Sequence, residues 1–259
     1  MRLKLKRYVG TIWPEALNQR KVILLYHSVG NTPWGMPEKQ FQNQIDWIAD
    51  HCRVLSLPEL VKTKSSQELQ VAFTFDDGYK TLYDIVAPIF ARKKMNGMVY
   101  LNTGWIKEGE KDRNYSDASL GHYPGEMFLT WQEVKLLREK GSWDIGSHGV
   151  NHFNLRRIPL DLVKNELLQS KQDVEEKLNI TCSHFSYPFG QYSKNVREVV
   201  KEVGYQYAAA VHHGGFNLES DYLAMPRINI SREYSLKDFG NIIRGKWDFV
   251  SLVHRLRGQ

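Results

Sequence analysis

Val71-Ala72-Phe73-Thr74-Phe75-Asp76-Asp77-Gly78-Tyr79 sets a short apolar run directly against two adjacent carboxylates and a glycine. The run Val71–Phe75 has the length and the β-branched and aromatic character of a buried strand. Asp76 and Asp77 then stand at its end, where two like charges repel and are costly to desolvate unless a cation or hydrogen bonds compensate. Neighbouring residues point different ways, so one can hold a metal while the other handles a proton. Gly78 lets the backbone turn sharply. Alone, the pair fits a helix N-cap equally well.

Outward from this stretch the same grammar repeats. Val22–Tyr26, Gly97–Leu101, Trp143–Gly146, His184–Tyr187, Tyr207–Val211 and Ala224–Ile230 are further strand candidates. Helical periods lie between them, in Phe41, Ile45, Ile48 and Ala49, in Leu82, Ile85, Val86, Ile89 and Phe90 with a kink expected at Pro88, and in Val163, Leu167, Val174 and Leu178. Val196, Val199, Val200 and Val203 mark another helix before Gly204. Thr130-Trp131-Gln132-Glu133 reads as a capping box for a helix ending at Gly141, a residue suited to the left-handed C-terminal conformation. Alternating strands and helices imply a parallel sheet with helices outside. Seven strand candidates imply an α/β fold, a distorted (β/α) barrel of about seven parallel strands, with a doubly wound open sheet as the alternative. One domain over residues 1–259, with its core at about 22–230, is expected. The long polar segment Asn102–Leu129 suggests a lid or binding rim.

The unusual polar residues fall at strand ends. His27 follows the first strand, Asp76 and Asp77 the second, His148 the fourth, and the turn Pro188-Phe189-Gly190 the fifth, while Arg227 lies in the last. In a parallel barrel all these ends open on one face, where active sites are built. His148 and His152 are four apart, which on a helix would place both imidazoles on one face. The spacing is weak by itself among nine histidines. With Asp77 it makes a set of two imidazoles and one carboxylate that leaves coordination positions open.

Composition bounds the rest. The chain has 259 residues, 42% hydrophobic and 25% charged, which excludes a disordered, collagenous or coiled-coil protein. Lys plus Arg exceed Asp plus Glu by 35 to 29, a formal charge of +6. The apolar runs are far shorter than the roughly 20 residues of a membrane helix, and no apolar stretch of a signal peptide follows the basic Met1–Arg7. Two cysteines, Cys52 and Cys182, form no disulfide framework, so a cytoplasmic location is expected. The excess charge is small and no nucleic-acid module is present, so no nucleic-acid partner is expected.

Together these residues resemble the polysaccharide deacetylase family with the NodB-homology domain. Thr74–Tyr79 (TFDDGY) is similar to its first signature, Ser147–His152 (SHGVNH) to its metal motif, and Phe185–Gly190 (FSYPFG) to its third motif. The resemblance implies that Asp77, His148 and His152 bind a divalent metal, usually zinc. It implies further that Asp76 is the general base, and that the Phe189 backbone N–H, with Tyr187 beside it, serves the oxyanion and the substrate.

Two departures matter. Many members carry an arginine in the third motif where this chain has Ser186; Arg227 is the candidate to supply that guanidinium from another strand. Many members also place a catalytic His in a Leu-x-His motif near the C-terminus. Leu252-Val253-His254 fits in letters, but His27, in Leu25-Tyr26-His27-Ser28, resembles the permuted arrangement of the subgroup acting on poly-β-1,6-N-acetylglucosamine. His27 is therefore preferred over His254 as the acid. The resulting expectation is a metal-dependent hydrolase removing N-acetyl groups from N-acetylhexosamine units of a polysaccharide or glycan precursor. The alternatives are an O-acetyl esterase, a non-catalytic glycan-binding relative, and a glycosidase with paired carboxylates. The basic N-terminus with Arg244, Lys246, Arg255 and Arg257 suggests peripheral contact with anionic membrane.

Overall fold

The computed structural model describes residues 3–16, 20–30, 32–64, 66–217 and 219–256, with side chains up to Leu252. Its strands are β1 (Lys21–Tyr26), β2 (Cys52–Val54), β3 (Leu69–Phe75), β4 (Met98–Leu101), β5 (Asp144–Ser147), β6 (His184–Ser186), β7 (Tyr207–Ala209) and β8 (Ile228–Asn229). Every pairing is parallel, in the order β7-β6-β5-β4-β3-β1-β8. β3 is central. Its ladder with β1 runs from Lys21↔Gln70 to Tyr26↔Phe75. β2 and β4 pair with its start and its end respectively. β2 is absent from the sequence-based reading because three residues with Arg53 in the middle carry no apolar run.

The expected last strand, Ala224–Ile230, pairs with β1 only at Ile228–Asn229, while Met225 makes a separate parallel bridge to Ala209 of β7. Pro226 between them has no N–H to give a ladder. One segment thus touches both ends of the seven-strand path and draws the sheet into a curled, distorted half-barrel, the expected fold class.

Alternation along the strands sorts the core into two layers. Val71, Phe73 and Phe75 of β3 pack outward with helix residues such as Phe41, Ile45 and Phe90. Ile23, Ala72, Met98, Tyr100, Ala209 and Met225 form the inner cluster with Leu57, Leu60 and Val61. The last three belong to a short helix that plugs the N-terminal end of the curl.

The helices are α1 (Leu3–Ile12), α2 (Glu38–His51), α3 (Leu57–Lys62), α4 (Ala87–Lys93), α5 (Trp131–Gly141), α6 (Leu160–Leu178), α7 (Lys194–Glu202), α8 (Leu236–Ile243) and α9 (Phe249–Leu256). The plug is α3, held by a Ser56–Glu59 capping box. Pro88 distorts its helix as expected: the preceding turn, Leu82–Val86, widens to a π-turn in which the Ala87 N–H donates to the Leu82 carbonyl. The Thr130–Glu133 capping box of α5 is present. Its left-handed residue, however, is Ser142 (φ 52°), not Gly141. Gly141 is needed for another reason, because a Cβ there would stand 2.7 Å from Trp143 Cδ1.

Candidate active site and metal centre

The C-terminal ends of β1, β3, β4, β5 and β6 gather the polar residues. The Asp76 N–H donates to the Tyr26 carbonyl at 3.0 Å, continuing the β1–β3 ladder one residue beyond the strand. Asp77 (φ 71°) and Gly78 (φ 80°) then take two successive left-handed conformations. A Cβ on Gly78 would lie 2.8 Å from Leu101 Cδ2, so the turn folds tightly onto β4. Asp tolerates that conformation better than most residues.

His148 and His152 are not on a helix. They flank a loop after β5 whose left-handed residues are Gly149 (φ 85°) and His152 itself (φ 59°). Glu166 of α6 holds this loop by accepting the Val150 and Asn151 N–H groups, each at 3.0 Å. Both imidazoles present Nε2 to the same place because Nδ1 is committed elsewhere. His148 Nδ1 donates to the Ser186 carbonyl at 2.7 Å and His152 Nδ1 to the Leu120 carbonyl at 2.6 Å. His148 Nε2 lies 3.6 Å, and His152 Nε2 3.5 Å, from Asp77 Oδ1.

All three side chains are buried, and each offers one ligand atom within 4.8 Å of the others. Carboxylate plus two imidazoles with oriented Nδ1–H groups is a donor set that fits a divalent cation of the zinc type. Burial pushes the His148 pKa down to about 4 despite the attraction of Asp76, leaving the neutral, ligating form at neutral pH.

Asp76 faces a different partner. Arg227 reaches it from the segment between β7 and β8, with Nη1 donating to Oδ1 at 2.7 Å and Nη2 to Oδ2 at 2.8 Å. Arg227 is fully buried. Its remaining donors go to Ala210, Thr74 and Ser186. Ser186 in turn donates to Asp76 Oδ2 at 3.1 Å, so serine and arginine together hold the Asp76 carboxylate. Burial works to raise the Asp76 pKa, but Arg227 and then His148 outweigh it and hold the carboxyl below its ordinary range. Asp77 is likewise lowered, burial being outweighed by His152, His27 and His148.

His27 is half-buried at the end of β1, 5.4 Å from the Tyr123 ring, and is among the groups that lower the pKa of both aspartates. Phe189 sits in a left-handed turn (φ 59°), its exposed ring 4.7 Å from that of His152. Tyr187 does not open on the site. Its side chain is buried and its hydroxyl donates to the Leu223 carbonyl, so it anchors the turn from below. The side chain of His254, on α9, lies outside the described residues.

Sequence reasoning missed two participants. His122 looks like a bland loop histidine, yet it is 2% exposed and stacks on His152 with ring centroids 4.9 Å apart. Asn102, the first residue after β4, donates from Nδ2 to Asp77 Oδ1 at 3.2 Å. Its place at a strand end was visible; His122 carried no spacing signal.

The polysaccharide deacetylase family matches residues 63–208, more than half of the chain and the part that contains Asp76, Asp77, His148, His152, Ser186 and Phe189 but not His27 or Arg227. The chain belongs to the polysaccharide deacetylase family. Among relatives of this chain, the poly-beta-1,6-N-acetyl-D-glucosamine N-deacetylase of Escherichia coli (strain K12) is 25% identical, the match covering 70% of this chain. The chain spans 30% of the length of that relative. In fold, the chain resembles IcaB from Ammonifex degensii (TM-score 0.74, 17% identity, 89% of this chain and 100% of that one). It also resembles the Streptococcus pyogenes deacetylase PplD in complex with acetate (TM-score 0.73, 20% identity, 87% and 99%).

Proposed function

We propose that this chain is a metal-dependent hydrolase that removes N-acetyl groups from N-acetylhexosamine units of a polysaccharide or glycan precursor. The observation that carries the reading is the convergence of Asp77, His148 and His152 beside an Asp76 fixed by Arg227. Asp77, His148 and His152 would hold the cation, zinc by the chemistry of the donors. When bound, the cation lowers the pKa of a water and polarises the acetyl carbonyl. Asp76, kept ionised and aimed by Arg227 and Ser186, takes the proton of the attacking water. The Phe189 backbone N–H, carried on its left-handed turn, donates to the oxyanion. His27, at the mouth and more open than the metal ligands, protonates the leaving amine. The similarity to a poly-N-acetylglucosamine N-deacetylase supports a β-1,6-linked glycan as the first substrate to try.

The test is acetate release from a panel of N- and O-acetylated glycans. Release from the N-acetylated members, abolished by chelator and restored by zinc, is expected. His27→Ala should cut turnover by about 10²–10⁴-fold without loss of bound zinc. Release from O-acetyl esters alone makes the protein an esterase, and chelator-insensitive release removes the metal reading.

Among the described residues no helix is long and apolar enough to cross a membrane. Contact at a membrane surface is supported by α1, which buries Gly10 against Trp247 and yet exposes Leu5, Tyr8 and Ile12 beside Lys4. Co-sedimentation with vesicles containing anionic lipid is expected, and a chain that stays in the supernatant at low salt would refute this contact.

A further inference from the structure

The segment joining β4 to α5 does more than border the opening, because three of its groups reach the candidate metal ligands. The Leu120 carbonyl fixes His152 Nδ1. The His122 ring lies on the His152 ring. Asn102 Nδ2 donates to Asp77 Oδ1, the oxygen that faces both imidazole Nε2 atoms, and stands 3.3 Å from His122 Nε2.

These groups are themselves clamped. Trp105 and Phe128 meet the His122 ring edge-on at 5.1 Å and 5.0 Å, and the Asp117 N–H donates to its Nδ1. Gly121 (φ 84°) allows the close approach: a Cβ there would stand 2.6 Å from Phe189 Cε1. Asn102 is fully buried, and its carbonyl oxygen has no protein partner among the described residues. A buried amide that leaves its own acceptor unpaired is poorly explained by stability. Its orientation serves Asp77 Oδ1, to which its NH₂ donates.

We propose that Asn102 and His122 are positioning residues for the metal site. The amide sets the rotation of the Asp77 carboxylate so that Oδ1 points between the two Nε2 atoms, and the stacked His122 ring sets the plane of His152. Neither side chain is a ligand; both act through Asp77 and His152. The inference rests on reading Asp77, His148 and His152 as the cation site. Partners in such a supporting layer typically change metal affinity about 10–100-fold.

The experiment is a zinc titration of the metal-stripped full chain against a chromophoric competing chelator. Asn102→Leu, which keeps the shape and loses the donor, should bind zinc about 10–100-fold more weakly. His122→Phe, which keeps the ring and loses the nitrogens, should show a smaller loss, and His122→Ala a larger one than His122→Phe. The unfolding midpoints of the metal-free variants should stay close to that of the parent. If Asn102→Leu does not fold, the His122 pair carries the test. Affinities within twofold of the parent for every folded variant overturn the positioning roles alone. A parent chain that binds no zinc overturns the metal reading and this inference with it.

Discussion

Both ends of the curled sheet bury aspartate, yet they shift it in opposite directions. At the C-terminal end Asp76 and Asp77 are held below the ordinary carboxyl range because cationic and imidazole partners outweigh burial. At the N-terminal end Asp144 is pushed up to about 6 by burial and by Glu59. Asp144 shares the inward face of β5 with Gly146 and His148, two and four residues further on. Nearby, Lys21 spends its charge on the Leu60 and Thr63 carbonyls at the end of α3. The Tyr100 hydroxyl, Asp144 Oδ2 and His184 Nδ1 have no hydrogen-bond partner among the described residues. Burial lowers the His184 pKa to about 4, again toward the neutral form. Burial of a titratable group therefore does not by itself mark a site. What distinguishes the C-terminal end is convergence, several groups facing one point with their charged or ligating forms supported.

The largest way to break that comparison is to remove the cation that supports Asp76. Arg227→Leu leaves a buried carboxylate with the Ser186 hydroxyl donating to it and no guanidinium beside it, and should destabilise the fold by about 3–5 kcal/mol at neutral pH. The deficit should shrink as pH falls toward about 4, because burial raises the pKa of the orphaned carboxyl and it takes its proton in the folded state before the unfolded chain does. Denaturant unfolding measures the first effect, and acetate release the accompanying loss of turnover. Adding Asp76→Asn should recover much of the stability and none of the activity. A single variant as stable as the parent would show that the pair does not hold this end together.

Much of the candidate site was legible in the sequence because its polar residues fall at strand ends. VAFTF followed by two aspartates, and a strand followed by His148, need only the rule that parallel strands deliver their C-terminal residues to one face. Arg227 was found by asking what could replace the guanidinium absent at Ser186. The backbone was less legible. His148 and His152 converge through left-handed residues rather than a helical turn, and four-residue spacing cannot tell these apart. Tyr187 shares a motif with Phe189, but the left-handed turn at Phe189 separates them, and Tyr187 is buried where the Leu223 carbonyl takes its hydroxyl. His122 and Asn102 depend on how a 28-residue connection (Asn102–Leu129) folds back through three single-turn 3₁₀ helices, at Thr103–Trp105, Glu110–Asp112 and Ala118–Leu120. No periodic pattern encodes such a path.

The smallest effect sharpens the comparison from the other end. The folded-state pKa of Asp144, about 6, lies above its ordinary 3.8, so the native state holds the proton more tightly than the unfolded chain. Below about pH 4 the carboxyl is protonated in both states, and the stability it contributes is fully present. As pH rises through 6 the unfolded chain ionises first and that stability is lost. A displacement of this size corresponds to about 3 kcal/mol at complete burial, reduced to about 1–2 kcal/mol because the carboxyl is partly exposed. Asp144→Asn removes the titration. It should therefore match the parent at pH 4 and exceed it at pH 8, by about 2–4 °C in Tm, with acetate release unaltered. A variant less stable than the parent at pH 8 would mean that the ionised carboxylate has a supporting partner after all. Asp144 would then belong with Asp76 and Asp77, and the two ends of the sheet would differ only in which one faces a substrate.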